Sequence, residues 1–261
     1  MKFAKKSLGQ NFLIDQNVIA KIVNLTNIKD KHVFEIGPGK GALTKEILTK
    51  NPKSLTLIEK DNLLSSELKL KYINNTKIKI YNDDILNFDF ENKIKRGTII
   101  FGNLPYNISS QILVNIIKFK KWPPNYSKLI LMFQKELAER IIGKFGTSKY
   151  GRLSILSNYR LKVLERFNIS PNCFFPKPKV ESTILLFNPK KIIINKFRNL
   201  ENLEKITNLF FSNKRKMINK VVKKIFSQKQ IKLFKNLDLN SRPSDLTPKQ
   251  YYNITEIFEK N

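Results

Sequence analysis

The 261-residue chain contains one cysteine, Cys173, and one histidine, His32. A lone thiol excludes a disulfide within the chain and suits a reducing compartment. The same counts exclude a Cys/His metal site, and any mechanism that needs a cysteine or serine nucleophile driven by a mobile imidazole. His32 opens a predicted strand and reads as a bystander. No metal is expected. Long hydrophobic runs are missing as well. Stretches such as Leu129–Phe133 are far too short to span a bilayer, and residues 1–12 carry neither a long apolar segment nor a small-residue cleavage site. A cytoplasmic protein with no membrane partner is the expectation. Acidic side chains are scarce: 21 Asp and Glu face 49 Lys and Arg, a formal net charge of +28. Such an excess attracts polyanions, and nucleic acid is the expected partner, bound with an affinity that falls as salt rises. The lysines are spread rather than clustered, so a compositional bias toward Lys, Asn and Ile supplies part of the excess.

Apolar and polar positions alternate between two periods along the first two thirds of the chain. Ile14–Leu25 has helical spacing behind Asp15, a plausible N-cap. Val33–Ile36 reads as a buried strand ending in the Gly37–Gly41 loop, and Ala42–Thr49 as the helix that follows. Strands are predicted at Ser54–Ile58, Ile78–Tyr81, Thr98–Phe101 and Leu129–Phe133. Helices are predicted over Asp61–Tyr72, Ser109–Phe119 and Lys135–Ile142. This alternation indicates an α/β fold, a mostly parallel sheet covered on both faces. Arg160–Phe167 and Ser182–Phe187 read as two antiparallel strands at the sheet edge. From about Asn199 onward only helical periodicity remains, over Leu200–Phe211, Lys216–Phe226, Gln230–Leu237 and Pro248–Phe258. Two domains are therefore expected, 1–189 and 190–261, the second all-helical.

The loop Glu35-Ile36-Gly37-Pro38-Gly39-Lys40-Gly41 follows a buried strand and opens a helix. Glycines there let the backbone turn sharply and approach a ligand closely. Alone, the loop also fits the dinucleotide fingerprint, because Gly37-x-Gly39-x-x-Ala42 matches G-x-G-x-x-G/A. Position separates the two readings. Glu59, Asp84 and Asn103 each end a successive strand, where ligands of open α/β sheets bind. Glu59 can accept both hydroxyls of a ribose and Asp84 can accept from an adenine amine. A sulfonium cofactor carries no pyrophosphate, so an acidic crevice suits methyl transfer better than hydride transfer.

Gly102-Asn103-Leu104-Pro105-Tyr106 is the most informative stretch. The exocyclic amine of adenine is a weak nucleophile because its lone pair is delocalised into the ring. The Asn103 side-chain oxygen and the Leu104 carbonyl, accepting its two N–H groups, would favour a pyramidal nitrogen with the lone pair free. Pro105 fixes the turn and removes one donor. Tyr106 can stack on the purine, worth about 1–3 kcal/mol by analogy with single-strand readers. The base must leave its stack to reach such a pocket, and catalysis is then mostly positioning. Phe174-Phe175-Pro176-Lys177-Pro178-Lys179-Val180 adds an aromatic arm, with Phe174 placed to cover the other face of the base; a hydrophobic plug under a loop is the alternative.

Together Ser7–Leu13, Glu35–Thr44, Asn103–Tyr106, Gly151-Arg152-Leu153-Ser154 and Phe174–Val180 resemble the ribosomal RNA adenine N6,N6-dimethyltransferases, over nearly the whole chain. Gly151–Ser154 and the tail, with Lys214-Arg215-Lys216 and Arg242-Pro243, look like the small-subunit branch. They argue against the related large-subunit enzymes of macrolide resistance. The tail departs at Lys220, where the family usually has Asn. The resemblance implies a Rossmann-like class I methyltransferase sheet, S-adenosylmethionine as methyl donor, and a monomer. It also implies dimethylation of two adjacent adenines in a hairpin near the 3′ end of 16S rRNA within the small ribosomal subunit, together with a role in subunit maturation. It places Asn11, Leu13, Gly37, Gly39, Glu59, Asp84 and Asn103 on the cofactor, and Asn103, Leu104, Pro105, Tyr106 and Phe174 on the target base. An assembly factor that binds without methylating, and a DNA adenine methyltransferase, are the competing readings.

Overall fold

The computed structural model describes residues 10–191, 197–234 and 237–260. These fall into two compact units, one reaching to Ala138 and including Lys162–Pro189, the other Glu139–Leu161 with the residues from Lys190 onward. The sequence pattern changes after Pro189, as does the unit. Residues 139–161 interrupt the first unit because their helix buries Ile155, Leu156 and Tyr159 in the helical one. A helix between two strands reads in sequence like one more crossover, so periodicity carries no sign of that exchange.

Strands β2 (His32–Ile36), β3 (Ser54–Glu59), β4 (Ile78–Asn82), β5 (Thr98–Asn103), β6 (Tyr126–Gln134), β7 (Leu161–Ile169) and β9 (Ser182–Pro189) build one sheet in the order β4-β3-β2-β5-β6-β9-β7. Five of them, β4 to β6 in that order, run parallel, and β9 joins β6 antiparallel. Ile99, Ile100 and Phe101 are all buried, as expected of a central strand covered on both faces. The strand order reverses at β2, with β3 on one side and β5 on the other, which opens a crevice at their carboxyl ends.

Helices α1 (Gln16–Val23), α2 (Ala42–Thr49), α3 (Asn62–Lys71), α4 (Phe90–Lys93), α5 (Ser109–Ile117) and α6 (Lys135–Ile141) lie between these strands. Asp15 caps α1 by accepting from the Val18 N–H, and Asp61 caps α3 by accepting from Leu63 and Leu64. The helix α2 coincides with the span predicted from periodicity. One element is invisible to periodicity. Strand β1 (Phe12–Leu13) pairs antiparallel with β8 (Phe174–Phe175), aligning Phe12 with Phe175 and Leu13 with Phe174. Two-residue strands are too short to carry any pattern.

In the second unit, α7 (Arg152–Arg160), α8 (Leu200–Phe211) and α11 (Pro248–Phe258) share a core of Ile155, Leu203, Ile206, Phe210, Tyr251 and Ile254, with α9 (Asn219–Ile225) and α10 (Gln228–Ile231) between. The spans of α8 and α11 match the periodicity, whereas the helix expected over 230–237 is the single turn α10. Part of that expected span, residues 235–236, lies outside the described residues. Thr247 and Gln250 form a capping box at the start of α11, and Tyr251 donates to the Pro243 carbonyl at 2.7 Å. No helix among the described residues is long and apolar enough to cross a membrane.

Candidate active site

The crevice at the β2–β5 reversal holds about 1150 Å³ of empty space out to its open mouth. Its wall includes Asn11, Leu13, Gly37, Gly39, Glu59, Asp84, Asn103, Leu104, Pro105 and Tyr106. Ten of the eleven residues expected from the sequence thus converge on one cleft. The Ser7, Leu8 and Gly9 portion of the N-terminal motif lies outside the described residues.

Its floor is the glycine loop. Gly37 and Gly39 have φ of +66° and +57°, values that a side chain disfavours. A Cβ on Gly39 would also meet the Phe12 ring at 3.0 Å, so the loop is closed from above by β1. Lys40 Nζ sits 4.8 Å from the centre of that ring.

Beside the loop, Glu59 ends β3 with 7% of its surface exposed. Its Oε2 accepts from Gly39 N–H and its Oε1 from Asp61 N–H, each at 2.9 Å. Burial raises its pKa, against the pull of those N–H groups. Glu59 accepts from the Lys60 N–H as well, and a carboxylate, with about four lone-pair sites, keeps one for a hydroxyl in the cleft. Asp84 is held by Lys60 Nζ at 2.8 Å and by Leu86 N–H at 3.0 Å. Burial pulls its carboxyl upward, but the Lys60 hydrogen bond and charge with the Leu86 N–H outweigh it, and the pKa lies below the ordinary value. Asp84 is therefore a stable anion.

Three participants are not singled out by the sequence. Gln10 donates to Asp61 at 3.1 Å, which ties the N-terminal segment to the Glu59 network. Lys60 fixes Asp84. Glu35, 1% exposed, accepts from Thr44 Oγ1 at 2.7 Å, and burial pushes its pKa up to about 8. An acidic residue among the apolar Val33, Phe34 and Ile36 of one strand is the signal that could have found it.

Across the crevice, Asn103 ends β5. Its amide Nδ2 donates to the Asn11 carbonyl at 3.1 Å. That contact orients the side chain and leaves Oδ1 without a donor among the described residues. The Leu104 side chain is buried, and Gly102 makes room for it: a Cβ there would lie 2.7 Å from Leu104 Cδ2. Pro105 accepts from Ile108 N–H at 3.2 Å and closes the turn. The Tyr106 hydroxyl lies 2.6 Å from Ser182 Oγ, and burial raises its pKa, so the phenol stays neutral.

Phe174 departs from expectation. It is 3% exposed, packs in the core with Leu13 and Ile169, and forms no part of the cleft wall. Neighbours on a strand point to opposite faces, so the exposed ring of this arm is Phe175, at 53%. The alternative reading of the arm, a hydrophobic plug, describes Phe174 in this structure.

The cleft suits a charged, amine-bearing and hydroxyl-bearing ligand. Glu59 and Asp84 line one side of it, and Asn103 with the turn that follows lines the other. Among the described residues no cluster of three or more His, Cys, Asp or Glu side chains could hold a metal ion.

The chain matches the model of the family described as ribosomal RNA adenine dimethylase over residues 1–260. It is 47% identical to a ribosomal RNA small subunit methyltransferase A of Pelagibacter ubique, covering 98% of this chain and 97% of that one. A protein of the same description from Wolbachia of Drosophila simulans is 41% identical, over 95% and 90% of the two chains. Among solved structures, a dimethyladenosine transferase from Plasmodium falciparum superposes with a TM-score of 0.75 at 25% identity, over 94% of this chain and 98% of that one. The 23S rRNA methyltransferase ErmE shares the fold, with a TM-score of 0.68 at 22% identity over 95% and 99%. The chain, with its class I methyltransferase sheet, belongs to the ribosomal RNA adenine dimethylase family.

Proposed function

We propose that this methyltransferase uses S-adenosylmethionine to dimethylate the N6 amine of two adjacent adenines near the 3′ end of 16S rRNA in the small ribosomal subunit. The observation that carries the chemistry is the pinned Asn103: its amide nitrogen is committed to Asn11, so its oxygen is left for the cleft, whose wall continues into Leu104. Glu59 and Asp84 hold the hydroxyl and amine groups of the donor's adenosine, and the Gly37–Gly39 backbone lets it lie close to the sheet. When bound, the donor supplies an electrophilic methyl on a sulfonium. Asn103 and Leu104 would accept the two N–H groups of the target amine and free its lone pair to take up that methyl, and the amine proton would pass to water. Tyr106 stacks on the base. The small-subunit assignment is supported by the relatives' descriptions and by Gly151–Ser154, where Ser154 Oγ accepts from Gly151 N–H at 3.0 Å and starts α7. Lys214, Arg215 and Lys216 are exposed in the helical unit and supply part of the RNA contact.

Transfer of labelled methyl from S-adenosylmethionine to unmethylated small subunits, large subunits and naked rRNA, followed by digestion to nucleosides, tests this reading. Dimethyladenosine from small-subunit particles is the expected product. Label confined to large-subunit RNA would move the target, and no label anywhere would leave a binding factor.

A further inference from the structure

We propose that Ser182 is a positioning residue for the target base, acting through Tyr106. The inference rests on Tyr106 being the stacking platform. Ser182 is fully buried at the start of β9, opposite Gln134 of β6, where the ladder leaves its backbone no freedom. Beside it the Glu181 carbonyl accepts from Lys135 N–H at 2.9 Å, which extends the ladder by one bond. Its hydroxyl meets that of Tyr106 at 2.6 Å, at the short end of the range for two hydroxyls.

A tyrosine side chain has two torsions, and both are restrained when its ends are fixed. At the backbone end, Ser109 Oγ donates to the Tyr106 carbonyl at 3.2 Å, inside the turn closed by Pro105 and Ile108. At the far end, Ser182 holds the hydroxyl. The ring is clamped at the cleft wall before any base arrives, so the ordering cost of stacking is already met. Nothing in this arrangement moves a proton. Ser182 sits 76 positions beyond Tyr106, as Asn11 sits 92 positions before Asn103, and each holds one member of the same five-residue motif. The two supports are themselves linked, because β1, next to Asn11, pairs with β8, in the segment that leads into β9.

The test uses the full-length protein, small subunits and labelled S-adenosylmethionine, with Ser182→Ala, Tyr106→Phe, the double variant and Tyr106→Ala. Ser182→Ala and Tyr106→Phe are expected to slow single-turnover methylation by a similar factor, about 3- to 30-fold, within the range of coupling between residues in direct contact. The double variant should be no slower than either, with S-adenosylmethionine affinity within twofold of native in all. Tyr106→Ala should be slower still. A Ser182→Ala enzyme at the native rate, or a double variant whose defect is the product of the singles, overturns the proposal. Should Ser182→Ala fail to fold, Tyr106→Phe at the native rate overturns it alone. If Tyr106→Ala methylates at the native rate, the platform reading itself fails; an impaired Tyr106→Ala beside native Ser182→Ala and Tyr106→Phe removes Ser182 only.

Discussion

The amide nitrogen of Asn103 donates to the backbone carbonyl of Asn11 at 3.1 Å, across 92 positions of sequence. A side-chain amide left to itself can rotate and present either its oxygen or its nitrogen. Here one face is spent on a backbone acceptor, so the other must be the acceptor that points into the cleft. The N-terminal segment therefore does more than line the cleft: it sets which end of the Asn103 amide faces it.

Replacing Asn103 by Ala is expected to lower single-turnover methylation by about 10²–10³-fold, the scale seen when one preorganised polar group of an active site is deleted. The fold should persist, since the side chain is only partly buried and makes one hydrogen bond. Asn103→Asp should be nearly as slow, because a carboxylate turned toward the Asn11 carbonyl repels it. Rates near native in either variant would remove Asn103 from its assigned role.

Glycine 39 can be separated into strain and contact. Gly39→Ala adds a side chain at φ +57° and drives it against the Phe12 ring, whereas Gly97→Ala meets the same strain at φ +81° with nothing within 4 Å. Each should lose about 1–2 kcal/mol, a drop of several degrees in melting temperature. Only Gly39→Ala should also weaken S-adenosylmethionine binding in calorimetry. Equal affinities in the two variants would separate β1 from the cofactor site.

Glu35 makes stability depend on pH in a stated direction. Burial raises its pKa from an ordinary 4.5 to about 8, so the folded chain keeps a proton that the unfolded chain has lost. The unfolded state binds fewer protons in that window, and stability falls as pH rises from about 4.5 through 8. Glu35→Gln keeps an acceptor for Thr44 without the titration, and its urea midpoint should vary less between pH 5 and pH 8 than that of the native chain. A native midpoint that climbs over this range would contradict the buried, protonated carboxyl.

Salt dependence locates the RNA surface. If Lys214, Arg215 and Lys216 each neutralise a phosphate, the triple Ala variant should bind small subunits more weakly. Its plot of log affinity against log salt should be shallower by about 2–3. An unchanged slope would make the cluster a solvated face.

Much of the sheet and of the site was legible in the sequence. The spacing of Val33–Ile36, Ser54–Ile58 and Thr98–Phe101 is that of buried strands, and the residues that end them, Gly37, Glu59 and Asn103, stand where an open sheet binds ligands. What periodicity could not supply was anything made by short or distant pairings. The β1–β8 ladder has two residues on each side, and the assignment of residues 139–161 to the helical unit depends on which face of α7 finds a core.

Local sequence thus determined which residues could do the chemistry: backbone freedom at Gly37 and Gly39, carboxylates at Glu59 and Asp84, and an amide, a carbonyl and a phenol in Asn103–Tyr106. These are properties of residue type and of nearest neighbours. Only the tertiary structure decided how each is held. It set the Asn103 amide by Asn11, the Tyr106 ring by Ser182 and the protonation of Glu35 by burial, and it turned Phe174 into the core while leaving Phe175 exposed. The reason is physical: orientation and pKa are fixed by groups that meet through space, and those groups lie tens of residues apart in the chain.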